Sequence, residues 1–282
     1  MNASAASQPS VGSGYRSLQR SGPASVLLLS FVLLIQLTPA GAETSLDAIQ
    51  VRGVLRVGVK ADAPPFSSLD AFGRPVGFEI DLARLFARVL FDDDRRIEFV
   101  PVTTATRFGV LQAGRVDLVA ATITATEERR KLAELSDPYF MSASLVLVPR
   151  GSQVEELSDL GGRRVAVVRG SVQERDVAEL QSRARLVPVA SVVEGTRAIK
   201  MGRADAFVYD DVVLLGLAQH DATFRVIGRP IGARPYAVAA RKGDAELIRW
   251  VNGWLAKMRR DGSYGELWRR YFVLFESRLV GG

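Results

Sequence analysis

The sequence predicts an α/β protein of two lobes, the second inserted into the first. Three observations carry this. Strand-like and helix-like segments alternate along the chain, as they do where helices cover largely parallel sheets. The pattern restarts around residues 145–151. A polar, Gly/Pro-rich stretch over residues 228–235 then leads into a further strand and a helical end. Two stretches crossing between two lobes make a hinge with a cleft. The expected division gives residues 43–148 and 232–282 to the first lobe and 149–231 to the second.

In chain order, residues 54–59 form the first expected strand. From Gly77 on, Leu82, Leu85, Phe86 and Val89 recur at helical spacing, with Arg84 and Arg88 on other faces. A strand over 97–102, a short helix over 106–112 and a strand over 116–122 follow. Thr126 is placed to cap the next helix, with Glu127 and Glu128 in its favourable first turn. In the second lobe, 164–168 is a strand, and Ser171-Val172-Gln173-Glu174 fits a capping box opening a helix to about Arg183. Strands over 187–189 and 206–209 flank a helix over 195–201. Residues 236–241 form a strand, 245–260 a helix stopped by Gly262, and 267–272 closes the ordered region. Lys60, Thr122, Thr124, Gly170, Ser171 and Asp210 all stand at the C-terminal ends of strands, where such sheets hold their ligands.

Composition narrows the classes. The chain has 282 residues, 48% hydrophobic and 24% charged, which suits one large or two small globular units. Arg16 and Arg20 precede an apolar run over residues 26–37 and an Ala40-Gly41-Ala42 ending, the pattern of a cleavable secretory signal peptide over residues 1–42. The run is shorter than the roughly 20 residues that a membrane span needs. Without those two arginines the 37 basic residues become 35 against 31 acids, or +4, too small and dispersed an excess to argue for nucleic acid. Cysteine is absent, so disulfides and thiol chemistry are excluded. One histidine, His220, excludes a histidine-based zinc site and makes Ser-His catalysis a poor fit. Asp92-Asp93-Asp94 lacks the glycine and glutamate of a calcium loop and reads as a solvated turn. No cofactor or metal is expected.

Four stretches, GVLRVGVKADAPPF, GRPVGFEIDLARLFARVL, VDLVAATITATEERRKLAELSDPYF and RRDGSYGELWRRYF, resemble extracellular solute-binding protein family 3, the amino-acid-binding components of bacterial ABC uptake systems. The resemblance runs from about Gly53 to Phe272. It implies the two-lobed, type II periplasmic-binding-protein fold with a two-strand hinge, a periplasmic location, a monomer and delivery of ligand to an inner-membrane ABC permease. It also implies a site. Arg129 would grip the ligand α-carboxylate as a bidentate fork. Thr122 and Thr124 would hold the amino and carboxylate groups, and Asp210 the α-amino group. The Gly170-Ser171-Val172 turn would offer backbone N–H to the carboxylate at a helix N-terminus.

The same resemblance gives Lys60 a meaning, since its GVKxDxPxF pattern is similar to that of the aspartate- and glutamate-binding subgroup. Arg107 matches an arginine common in binders of acidic and polar amino acids, although Phe108-Gly109 replaces the usual Ile-Pro. Phe66 is expected to wall the ligand's aliphatic part. Ala63 and Val192, small where relatives carry aromatics, imply a roomier pocket. Counting Lys60, Arg107 and Arg129 against Asp210 gives a site of +2, which a dicarboxylate would offset by half. The expected function is therefore binding of glutamate or aspartate, with no chemistry. Two rivals stand beside it: a cyclohexadienyl dehydratase-like enzyme on the same fold, for which Glu79 and Asp81 are the available carboxylates, and a sensor subunit for a membrane receptor.

Overall fold

The computed structural model describes residues 45–278; the signal-peptide reading falls on residues outside these. The described chain opens with α1 (Ser45–Arg52) and β1 (Leu55–Val59). A small meander follows, β2 (Asp62–Ala63), β3 (Ser67–Leu69) and β4 (Pro75–Val76), and leads into α2 (Phe78–Phe91). This helix buries Phe78, Ile80, Leu82, Ala83, Phe86 and Ala87, so its inward stripe begins a turn before Leu82, while Val89 is exposed. Only glycine fits ahead of it. Gly77 has φ 131°, and a Cβ there would stand 2.3 Å from the Phe66 carbonyl oxygen.

The first lobe continues with β5 (Ile97–Pro101), α3 (Arg107–Gln112), β6 (Leu118–Val119), α4 (Glu127–Leu132) and β7 (Ala133–Leu135). Thr126 caps α4 as expected, accepting the Arg129 N–H. The strand expected over 116–122 is corrected to the two residues of β6. The chain leaves the sheet after Ala120 and passes through Thr122 at φ 47°, whose N–H goes to the Glu79 carboxylate at 2.7 Å.

Next, β8 (Phe140–Pro149) carries the chain into a second sheet. There lie β9 (Arg164–Val168), α5 (Val172–Leu180), β10 (Arg185–Val189), α6 (Val192–Lys200), β11 (Ala206–Asp210) and α7 (Asp211–His220). The return is β12 (Phe224–Tyr236), followed by β13 (Ala239–Arg241), α8 (Ala245–Arg260) and α9 (Ser263–Phe272). Strand order is β5-β1-β6-β13-β7 in the first lobe and β10-β9-β11-β8-β12 in the second. Apolar clusters cover both faces of each sheet, as parallel sheets require.

The two crossing strands pair antiparallel from Phe140 opposite Tyr236 to Pro149 opposite Phe224. Residues 144–147 already pair with β11, so the second sheet starts ahead of residue 149. The Gly/Pro-rich stretch is itself strand, not merely a lead into one. Two register shifts, between Ile227 and Ile231 and between Ile231 and Arg234, absorb Gly228 (φ 75°) and Gly232 (φ 58°). As β12 is an edge strand, Pro230 and Pro235 cost it no inner ladder bond. Beneath the first pair of this ribbon, Phe66 packs edge-on to Phe140 at 5.0 Å between ring centroids, and Phe140 packs against Phe272 at 4.7 Å. Truncating one of these buried rings costs about 3–5 kcal/mol.

Candidate ligand-binding site

Three strand ends and two helix starts converge between the lobes. The end of β6 and the turn after it deliver Thr122 and Thr124, and the first turns of α3 and α4 deliver Arg107 and Arg129. From the other lobe, the turn after β9 delivers Ser171 and Val172, and β11 ends on Asp210. These seven residues line one polar cavity of about 10 Å³, together with Thr104, Gln173 and Tyr209. A second cavity of the same size adjoins it, sharing Thr124, Val172, Gln173 and Asp210 and adding Ser142, Arg234 and Tyr236.

The cations are buried and mostly held by backbone. Arg107 is 1% exposed and donates from Nη1 to the carbonyls of Ala121 (2.6 Å) and Thr122 (3.2 Å), while its Nε has no partner. Burial pulls its pKa below the ordinary value. Arg129 donates to the Thr124 carbonyl at 2.9 Å and, across the cleft, to the Gly170 carbonyl at 3.3 Å. Burial, with the like charge of Arg107, lowers its pKa to about 9, which still leaves it charged at neutral pH. Lys60, the residue after β1, donates to the Tyr209 hydroxyl and lies 3.8 Å from Asp62 Oδ1. Burial opposes its charge, but Tyr209, Asp62 and Asp210 outweigh that and hold its pKa above the ordinary value.

Carboxylates answer them. Asp210 is the N-cap residue of α7, yet its side chain makes no capping bond; Gln173 Nε2 donates to it at 2.8 Å. The Tyr236 hydroxyl lies beside Asp210 and Ser142 without meeting hydrogen-bond geometry. Burial raises the pKa of Asp210, with Tyr236, Lys60 and Gln173 pulling the other way. Glu79, in the first turn of α2, is fully buried and accepts from the Thr122 N–H and the Tyr139 hydroxyl, with Ser67 Oγ at 3.4 Å.

Two predicted residues stand elsewhere. Phe66 is 0% exposed and sits in the aromatic cluster among Phe78, Phe140, Tyr236 and Phe272, so the structure makes it a core ring and not a wall of either cavity. Lys60 lines neither cavity either, but touches Tyr209, which lines the first. Ala63 and Val192 are buried away from both cavities and add no room there. The +2 count also needs correction. Asp62 and Glu79 both face this cluster of cations, and with Asp210 they bring the balance to three against three. Sequence reasoning missed Asp62, Tyr209 and Gln173 as members of the cluster and offered Glu79 only to the dehydratase-like rival. A signal existed for two of them, since Asp62 lies two residues from Lys60 and Tyr209 precedes Asp210.

The lobes meet directly around this site. Besides the Arg129–Gly170 and Lys60–Tyr209 contacts, Asp62 Oδ2 accepts the Val192 N–H at 2.7 Å, and Arg175 pairs with Glu128 at 3.2 Å. Among the described residues no cluster of His, Cys, Asp or Glu is arranged to hold a metal, and no helix is long and apolar enough to cross a membrane.

Known proteins share this architecture. The ABC transporter glutamine-binding protein of Bacillus subtilis is 32% identical over 261 residues, 88% of this chain and 96% of that protein. The glutamate/aspartate import solute-binding protein of Salmonella typhimurium is 27% identical, over 83% of this chain and 81% of that protein. Among solved structures, the solute receptor for L-cysteine of Neisseria gonorrhoeae matches with a TM-score of 0.79 at 30% identity, over 84% of this chain and 97% of that one. An ancestral amino acid-binding protein, described as a precursor of cyclohexadienyl dehydratase, matches with a TM-score of 0.76 at 36% identity, over 81% and 100%. A model of the bacterial extracellular solute-binding proteins, family 3, matches residues 55–273, and the chain belongs to that family.

Proposed function

We propose that this protein is the solute-binding component of an amino-acid ABC importer and that its ligand is an acidic amino acid, glutamate or aspartate. The observation carrying this is a surplus of buried donors. Lys60 has three N–H groups and one hydrogen-bonded partner, and Arg107 Nε has none. On the acceptor side, Asp210 already takes the Gln173 amide. Unmet donors of this kind cost about 1–3 kcal/mol each, and a dicarboxylate offers four oxygens to meet them. In this reading Arg129, Thr122, Thr124 and the Ser171–Val172 turn hold the α-carboxylate and Asp210 holds the α-amino group. Lys60 reaches the side-chain carboxylate once Tyr209 gives way.

A second reading has its own support. The balanced charges of Lys60, Arg107 and Arg129 against Asp62, Glu79 and Asp210 suit a neutral side chain, and the Bacillus relative is a glutamine-binding protein. Glutamine is therefore the main competitor. An enzyme of the dehydratase class is disfavoured, because Glu79 is engaged by Thr122, Tyr139 and Ser67 and lines neither cavity. In the proposed cycle residues 149–231 move as one lobe, and closure around the ligand shifts a population of open and closed forms. The mature protein, freed of residues 1–42, works as a monomer in the periplasm and hands its ligand to the inner-membrane permease. The family's extracellular character supports that location.

The test is calorimetric titration of residues 43–282, unfolded and refolded to remove co-purified ligand, with glutamate, aspartate, glutamine, asparagine, arginine and histidine. Tight binding confined to glutamate and aspartate is the expected result. Tight binding of glutamine alone would replace the acidic reading with the amide one. Silence with all six, or turnover of prephenate or arogenate, would overturn amino-acid binding as the function.

A further inference from the structure

We infer that Asp62 is a closure residue: its carboxylate latches the first lobe to the N-terminus of α6 in the second. Asp62 lies on β2, and its Oδ2 accepts the Val192 N–H at 2.7 Å although 130 residues separate them. Val192 is the first residue of α6, so its N–H has no acceptor within the helix. The Glu194 and Gly195 donors of the first turn are met from α6's own lobe, by Ser191. Ser191 Oγ accepts the Glu194 N–H at 3.1 Å, and Glu194 Oε2 accepts the Ala190 N–H at 2.9 Å. For the Val192 N–H, by contrast, the acceptor comes from the opposite lobe.

The chemistry favours the contact. A carboxylate at a helix N-terminus gains from both the charged hydrogen bond and the positive end of the helix dipole. When the lobes part, the bond must break and both groups return to water. Asp62 therefore adds stability to the closed arrangement alone, which raises the closed fraction and with it the apparent affinity for any ligand held between the lobes. Its other oxygen lies 3.8 Å from Lys60, so the latch stands against the candidate site without lining it.

The backbone donor can be removed on its own. Proline is well tolerated at the first position of a helix, and Ser191, at φ −151° and ψ 167°, already has the extended backbone that a following proline requires. Val192→Pro deletes the N–H and leaves Asp62 beside Lys60, whereas Val192→Ala keeps the N–H and removes similar side-chain bulk. The chain contains no cysteine, so Ala113→Cys and Arg163→Cys, both at exposed positions, allow specific spin labelling of the two lobes.

Lobe-to-lobe distances in the ligand-free protein give the first readout. Asp62→Ala and Val192→Pro are expected to lower the closed population to the same extent, the double variant no further, and Val192→Ala not at all. Titration with glutamate and with glutamine gives the second. Val192→Pro is expected to weaken whichever of them binds by about tenfold, and both by one factor if both bind, a change of ~1.4 kcal/mol. The affinity arm rests on the cleft being the amino-acid site; the distance arm does not, and it decides the matter if neither amino acid binds. Unchanged distances in Asp62→Ala, additive opening in the double variant, or equal opening in Val192→Ala would each overturn the latch.

Discussion

The starts of α5 and α6 are two copies of one local device put to different ends. In Ser171-Val172-Gln173-Glu174 and Ser191-Val192-Val193-Glu194 the serine hydroxyl accepts the glutamate N–H, at 3.3 and 3.1 Å. In both, the glutamate carboxylate reaches back past the serine to the preceding N–H, that of Gly170 at 2.8 Å or Ala190 at 2.9 Å. The capping box expected at Ser171 is therefore displaced by one residue, because the Ser171 N–H is already given to the Val168 carbonyl. What differs is the next donor. The Val192 N–H meets Asp62, while Val172 lines the polar cavity with Arg129 and Thr124. One helix start shows what a carboxylate looks like in such a position, and the other stands where the proposed ligand would supply one.

The largest way to break that comparison is to remove the cation facing the α5 start. Arg129→Ala should abolish measurable binding of every α-amino acid in calorimetry, a loss of at least ~3 kcal/mol, because a charged fork opposite the carboxylate is gone. Binding retained within tenfold would show that the carboxylate sits elsewhere. Lys60→Met comes next. It should weaken glutamate by about a hundredfold, or ~2.7 kcal/mol, and glutamine by much less. Equal losses would take away its proposed role in choosing the side chain.

Val172→Pro is a subtler probe, and the α5 start suits it, since Ser171 is extended at φ −79° and ψ 162°. Loss of one donor to a carboxylate should cost about 1–2 kcal/mol of affinity, while the thermal midpoint moves little. Affinity equal to that of the parent would mean that the ligand does not use this helix end. The smallest expected effect concerns the caps alone. Ser171→Ala and Ser191→Ala should each destabilise the fold by about 1 kcal/mol in denaturant titration. If α5 and α6 are equivalent local devices, the two losses should agree within a few tenths of a kcal/mol; a clearly larger one would mark a serine with a second task.

Much of this was legible in residue order. The helix over 245–260 announces itself by period, since it buries a regular face, and the strand over 164–168 as a short apolar run. Arg129, Thr124 and Asp210 were legible as candidates because a family pattern marks them, and the structure brings the three to one cavity. Phe66 was misjudged for a physical reason: an aromatic after Pro-Pro packs equally well on a ligand or on other rings, and only the position of Phe140, Tyr236 and Phe272 decides which. The shortness of β6 was invisible for a similar reason. Residues 116–122 are apolar enough for a strand, and the competing acceptor that draws Thr122 away belongs to Glu79, 43 residues earlier.

By itself the sequence determined the alternating layers, the helix starts and the presence of three cations among the candidate residues. These follow from periodicity, capping chemistry and charge, which act between residues close in the chain. Tertiary structure alone decided which charges meet. Asp62 and Glu79 neutralise what looked like a surplus, Tyr209 stands over Lys60, and Asp62 rather than a ligand takes the Val192 N–H. Electrostatic balance in a buried site depends on distances of a few ångströms between groups far apart in sequence, and only the packing of the two lobes sets those distances.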